Sequence, residues 1–180
     1  MTRRKKPRLF SFAREVEIGH FDEVVTDPGE RALLERVVDA FIEICNAQAV
    51  RPATLEPIVA AARHPAAYVR GVGITRLTVL THYFEDAITA LRDVAADGDE
   101  EVRLYATASL PNTPDAVALP LLTDGLADRS WRVRKAAAQA ASAFPAPQLL
   151  PVLEEAARHE TDARVRIQIE LSAQFQRSSR

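Results

Sequence analysis

At 180 residues, the chain is about the size of one domain and long enough to bury a continuous core. Apolar residues make up 47% and charged residues 27%, ordinary globular values that argue against wholesale disorder, collagen and a membrane-spanning protein. The formal net charge of −2 leaves no global field to draw the chain onto nucleic acid or an anionic membrane.

The first residues are basic, with Arg3, Arg4, Lys5, Lys6 and Arg8. They resemble the opening of a signal peptide, but the apolar run Leu9–Ala13 contains Ser11 and ends at Arg14-Glu15, too short for a signal core. Residues 1–8 are therefore expected to be a solvated, disordered tail. The longest other apolar run, Ala116–Leu122, is far shorter than the roughly 18 residues a membrane helix needs. Cys45 is the sole cysteine and has no internal disulfide partner, which fits a reducing compartment. A soluble, cytoplasmic protein with no membrane partner is the expectation.

Residues 9–26 show no clear period, although Phe10, Phe12, Val16 and Ile18 are candidates for packing. Asp27-Pro28-Gly29-Glu30 is a helix entry, with Asp27 as N-cap and Pro28 in the first helical position. The helix should run to about Asn46, with Leu34, Val37, Val38, Phe41, Ile42 and Cys45 facing inward. Cys45 on that stripe is expected as a small buried residue. Residues 9–51 are assigned to N-terminal capping helices or a degenerate repeat.

A repeated unit follows. Val-Arg recurs at Val69-Arg70, Val102-Arg103, Val133-Arg134 and Val165-Arg166, with spacings of 33, 31 and 32 residues. Five residues before each Val stand His64, Asp97, Asp128 and Glu160, and a leucine or isoleucine stands fourteen or fifteen before it. Four residues after it come Gly73, Ala106, Ala137 and, as an exception, Ile169. Such a period marks a repeat architecture. Each unit divides into two helices around a short polar turn. In the third copy, Thr113 and Pro114 start the first helix, and Asp128-Arg129-Ser130 makes the turn. The second helix runs from Trp131 to about Ala143, with Val133, Ala137, Ala140, Ala141 and Phe144 on one stripe. Pro120 and Pro151 sit in either the first turns or at kinks of their helices. The expected fold is all-α. It is a right-handed α-solenoid of about four helical hairpins, spanning roughly 52–82, 83–112, 113–145 and 146–176, behind an N-terminal capping helix.

Asp128–Ala141 (DRSWRVRKAAAQAA) resembles the HEAT repeat, especially the short variety of phycobilisome-lyase-like proteins. Asp97–Arg103 and Ala118–Leu122 are similar to the same pattern, and the resemblance covers roughly residues 52–176. It implies that Asp97, Arg103, Asp128, Arg134, Glu160 and Arg166 form a structural ladder between neighbouring repeats. A guanidinium fork is suited to this, because it satisfies a carboxylate and turn carbonyls together. The first unit, with His64 and Arg70, and the last, with Glu160 and Arg166, are expected to give weaker end rungs.

Nothing in the residue pattern points to catalysis. His20, His64, His82 and His159 do not pair at metal-ligand spacing, and one cysteine excludes a thiolate cluster. Gly71-Val72-Gly73 lies within a helix rather than in a phosphate loop. His159-Glu160 looks like the dyads of HEAT-type iron hydroxylases, but a single dyad ahead of the turn fits a helix end and a turn acid. No cofactor, metal or catalytic residue is expected.

The second helices should line the concave side, with Tyr68, Val72, Arg76, Leu104, Tyr105, Trp131, Arg132, Lys135, Gln139, Arg164 and Gln168 as candidate partner-binding residues. Tyr, Trp and Arg dominate interface hot spots. Arginines crowd the second helices and acids the first, which predicts a basic inner wall, an acidic back and an acidic protein or peptide partner. Ile167, Ile169, Leu171 and Phe175 suggest an end-on homodimer contact through the last helix. A non-enzymatic scaffold or adaptor is the preferred reading. The alternatives are a nucleic-acid-binding protein related to DNA repair, or an accessory subunit of a phycobilisome-lyase-like enzyme.

Overall fold

The computed structural model describes residues 14–143 and 145–178. The basic tail, Phe10, Phe12 and Phe144 lie outside the described residues. Among the described residues the secondary structure is entirely helical. α1 (Arg14–Val24) and α2 (Pro28–Ala47) precede four hairpins: α3 (Pro52–Ala62) with α4 (Ala67–Leu80), α5 (Glu85–Ala95) with α6 (Glu100–Ser109), α7 (Asp115–Leu126) with α8 (Trp131–Ala141), and α9 (Leu150–His159) with α10 (Ala163–Ser178). No helix among these residues is long and apolar enough to cross a membrane.

Local chemistry sets the boundaries. The Asp27 carboxylate accepts from the Glu30 amide at 2.8 Å and Pro28 opens α2, satisfying one of the orphan donors of the first turn. Leu34, Val37, Val38, Phe41, Ile44 and Cys45 are buried along that helix. The start of α7 differs from expectation. Pro114 is the cap residue and Asp115 the first helical one, because the Thr113 hydroxyl donates to the Leu110 carbonyl at 2.7 Å and closes a 3-10 turn over Leu110–Asn112. α8 ends at Ala141, two residues early. Pro120 lies inside α7, whereas Pro151 falls in the first turn of α9, after a 3-10 turn at Pro147–Leu149.

The hairpins stack in one row over a continuous core. The second helices α4, α6, α8 and α10 pack against one another along the whole row, while the first helices α3, α5, α7 and α9 touch only locally. We call the side of this closer row the inner side and the opposite side the outer one. Clefts of about 750 Å³ open between successive hairpins, from the first helices to the turns, one lined by Arg92, Pro120, Asp124 and the Arg103 and Asp128 side of the turns, the next by Thr123, Pro151, Val152 and the Arg134 and Glu160 side. Small residues allow the close approaches. A Cβ on Gly73 would lie 2.3 Å from the Ala62 nitrogen in α3, and one on Gly125 would lie 3.0 Å from Ala137 Cβ.

Buried arginines tie each layer to the next. Arg103 donates through Nη1 to its own turn carbonyls at Asp97 and Gly98, at 2.9 and 3.0 Å. Its Nε and Nη2 then grip the Asp128 carboxylate of the following turn at 2.8 and 3.1 Å. Arg134 repeats this with its own turn carbonyls at Asp128 and Arg129 and with Glu160. The turn acids also close their own turns, accepting from the amide two residues on: Asp97 from Asp99, Asp128 from Ser130 and Glu160 from Asp162.

Of the two end rungs, the first is weak, as expected, and the last differs from expectation. Glu160 is strongly engaged, with its side chain only 3% exposed, and its arginine is Arg134. Arg166 is exposed, since the described helices place no later turn acid beside it. At the first rung, His64 meets Arg70 only through its carbonyl, at 2.8 Å, while its ring accepts from the Ala66 amide. Asp97 would complete that rung, but Arg63 takes it at 2.8 Å. Arg70 instead lies 4.4 Å from the centre of the Tyr105 ring.

Two outcomes check this packing. Gly73→Ala should destabilise by about 1–3 kcal/mol through overpacking against α3, whereas Gly71→Ala, with open space at its Cβ, should be neutral or stabilise by up to about 1 kcal/mol. Urea unfolding midpoints of the two variants give the comparison. Arg103→Ala should cost about 3 kcal/mol, because it strands the largely buried Asp128. At Asp128, burial pushes the carboxyl up, but the Arg103 and Ser130 hydrogen bonds and nearby positive charge outweigh it, and the pKa falls below its usual 3.8. The Glu160 carboxyl falls below 4.5, chiefly through the hydrogen bond from Arg134. The stability they contribute is therefore full above these ordinary values, begins to fall as pH drops below them, and is lost as pH passes through the lowered values of the folded protein. Thermal melts from pH 6 to pH 3 should show that loss, and Arg103→Ala should reduce its size.

Candidate protein-interaction face

The inner face is built from the outward sides of the second helices. Around α10, the core side carries Val165, Ile169 and Ala173, and Ser172 faces α8, donating to the Ala138 carbonyl at 2.6 Å. The side where a further layer would stack carries Arg166, Glu170 and Gln174, all exposed. Between them, on the inner face, Ile167, Leu171 and Phe175 form an i, i+4, i+8 stripe with exposures of 58%, 55% and 36%. Of the four residues expected at an end-on homodimer contact, three are exposed and one is not. Ile169 is fully buried, and the exposed apolar residues lie on the inner face rather than across the polar end.

The candidate binding residues separate by environment. Tyr68 and Trp131 are exposed, at 41% and 37%, and Gln139 is exposed beside Lys135 on α8. Val72, Leu104, Tyr105, Lys135 and Gln168 are half-buried. Arg164 stacks 3.8 Å from the Trp131 ring centre. Its guanidinium is held in that plane by Asp162, at 3.1 and 2.7 Å. The hydrogen bond from Arg164 is the leading cause of a strong downward shift of the Asp162 carboxyl. The result is a rigid, half-exposed platform of ring and cation bridging α8 and α10.

The basic inner wall does not form as the residue count suggested. Arg70, Arg103 and Arg134 are consumed at the turns. Arg132 pairs with Glu100 and Glu101 of the preceding repeat, and Arg164 pairs with Asp162. Arg76 pairs with Glu17 of α1, both side chains largely buried, and lies 4.9 Å from the Phe41 ring centre. The outer side does carry the expected acids, with Glu85, Asp86, Asp93, Asp115 and Asp124 exposed on the first helices.

Sequence reasoning missed α1 as an element of this face. Phe21 is 2% exposed and meets Tyr68 edge-on, with ring centres 6.4 Å apart. Its signal was the i, i+4 pair Glu17 and Phe21, hidden in a helix whose other residues, the half-buried Ile18 apart, are polar or exposed. Gln176 was missed as well. It is fully buried, accepts from the Ala146 amide at 2.7 Å and donates to the Ala141 carbonyl at 2.5 Å, finishing the open end of α8. The two halves of the His159-Glu160 dyad face different partners. His159 bonds to Glu155 at 2.7 Å, and Glu160 to Arg134.

The chain has 17% identity to an engineered protein solved by the Northeast Structural Genomics Consortium, covering 92% of this chain and 80% of that one with a TM-score of 0.46. A designed armadillo repeat protein, solved with the peptide (KR)4, has 16% identity, coverage of 88% and 80%, and a TM-score of 0.49. No curated protein matches the sequence. Residues 88–174 match the family model of HEAT repeats, so the three later hairpins of this α-solenoid carry the HEAT pattern that the Val-Arg period and the turn acids delineate.

Proposed function

We propose that the protein is a non-enzymatic scaffold that binds a protein or peptide along the inner face of its second helices. The observation that carries this reading is the apolar surface left open there: the Ile167–Leu171–Phe175 stripe beside the Trp131–Arg164 platform. Aromatic and aliphatic anchors ringed by polar groups are the composition of an interface core. The stripe follows helical spacing and lies in line with Lys135 and Gln139 of α8, so an extended or helical segment crossing the row meets one chemical surface. Nucleic-acid binding is disfavoured because Arg103 and Arg134 spend their donors on turn carbonyls and acids, leaving few cations for phosphates.

The test is capture that depends on the face. Proteins cross-linked by the wild-type chain in native extract should be lost with Leu171→Asp and with Trp131→Ala, and retained with Asp93→Lys on the outer side. Loss of the same proteins with Asp93→Lys alone would reject the inner face. A mobility shift of random duplex DNA by wild-type protein, abolished by salt, would favour the nucleic-acid reading instead.

A further inference from the structure

The ladder of arginines is incomplete at one joint. Arg103 and Arg134 each spend Nη1 on their own turn carbonyls and aim Nε and Nη2 at the acid of the next turn. Arg70 adopts the same pose at the first turn, its Nη1 donating to the His64 and Pro65 carbonyls at 2.8 and 2.9 Å. In the other two rungs Nε donates to Oδ2 of Asp128 or Oε2 of Glu160. The Arg70 Nε is buried and meets no acceptor. Its Nη2 lies 3.7 Å from the Glu101 carboxylate, beyond hydrogen-bond reach, and Glu101 already pairs with Arg132.

Asp97 stands where the missing acid belongs. Like Asp128, it accepts through Oδ1 from the amide two residues on, which leaves Oδ2 for a rung. The Arg63 Nε donates to that oxygen at 2.8 Å. Two arginines thus compete for one atom, and their claims differ in kind. The Arg63 side chain is 41% exposed, so water satisfies its donors when Asp97 leaves and salt weakens the pair. The Arg70 side chain is 5% exposed, and a buried donor left unmet carries the full cost of its desolvation. The packing follows the missing rung: α4 and α6 meet less extensively than α6 with α8 or α8 with α10.

We infer that Asp97 is a two-position switch that opens and closes the joint between the first and second hairpins. On Arg63 it leaves the joint open. On Arg70 it completes a rung with the geometry of the two beyond it, drawing the Asp97 turn toward the His64 turn and changing the bend of the inner face between Val72 of α4 and Leu104 of α6. An anionic group that engages Arg63 from solvent releases Asp97 to Arg70, so the curvature of the row answers to the surface around one exposed guanidinium. Such bistable contacts are how packed helices convert a local exchange into a discrete movement. The inference stands apart from what the inner face binds.

Nitrogen-15 NMR of the arginine side chains in the full chain reads the switch. In wild type the Nε–H signals of Arg103 and Arg134 should lie together, displaced by their carboxylates, and that of Arg70 apart from them. Arg63→Met should move the Arg70 signal into the range of the other two and slow hydrogen exchange of α4 and α6 amides by about threefold or more. Adding Asp97→Asn, which keeps the oxygen that closes the turn but removes the charge, should reverse both effects. In wild type, raising salt should move the Arg70 signal in the same direction as Arg63→Met, because screening weakens the exposed pair first. An Arg70 signal unaltered by Arg63→Met, or altered equally when Asp97→Asn is present, overturns the inference. Thermal melts give an independent reading: Arg63→Met should leave the midpoint unchanged or raise it, and a drop as large as that of Asp97→Asn overturns the inference too.

Discussion

A guanidinium removed from water must find an acceptor for nearly every donor it carries, and that requirement organises this molecule. Arg103 meets it by spending one nitrogen on its own turn and two on the next. The same side chain therefore fixes the shape of a hairpin and its distance from the following hairpin. A hairpin of two short helices cannot cover its apolar flank alone, and stacking is what buries it. The arginine sets how the layers register while the leucines and alanines supply the adhesion.

The repeat was legible because this requirement leaves a trace in sequence. An acid, then Val-Arg five and six residues on, then a small residue, is the least that a turn, a core contact and a rung demand. What stayed hidden was competition between side chains of like chemistry. Arg63 and Arg70 both suit Asp97, and spacing alone does not reveal that Arg63 takes it. α1 escaped for a related reason. Its hold is one buried aromatic ring, the half-buried Ile18 and a few ion pairs, too sparse to produce a period. Ser172 and Gln176 are polar residues doing the work of core residues, each bonded to carbonyls of α8, and a hydropathy pattern assigns them to the surface.

Charge shows the same limit. Summing arginines by helix gave a basic inner wall, but a sum ignores where the guanidinium ends. A long side chain can begin on one face and deliver its charge to another, and seven of the second-helix arginines deliver theirs to a carboxylate, a turn carbonyl or both. The acids of the first helices are short and stay where they start, so the outer side kept the charge the sequence implied. Asymmetry survives, carried by the back.

The unequal spacing of the two helix rows has a mechanical consequence. Along the inner row, alanines such as Ala136, Ala137 and Ala140 are already in full contact, and close-packed matter resists compression. Across the outer row, the clefts beside Pro120 and Pro151 let first helices swing together or apart without overlapping atoms. The rungs at Arg103 and Arg134 stand at the turns, where such swings pivot. The solenoid is therefore stiff against shortening and more compliant in bending about its turns.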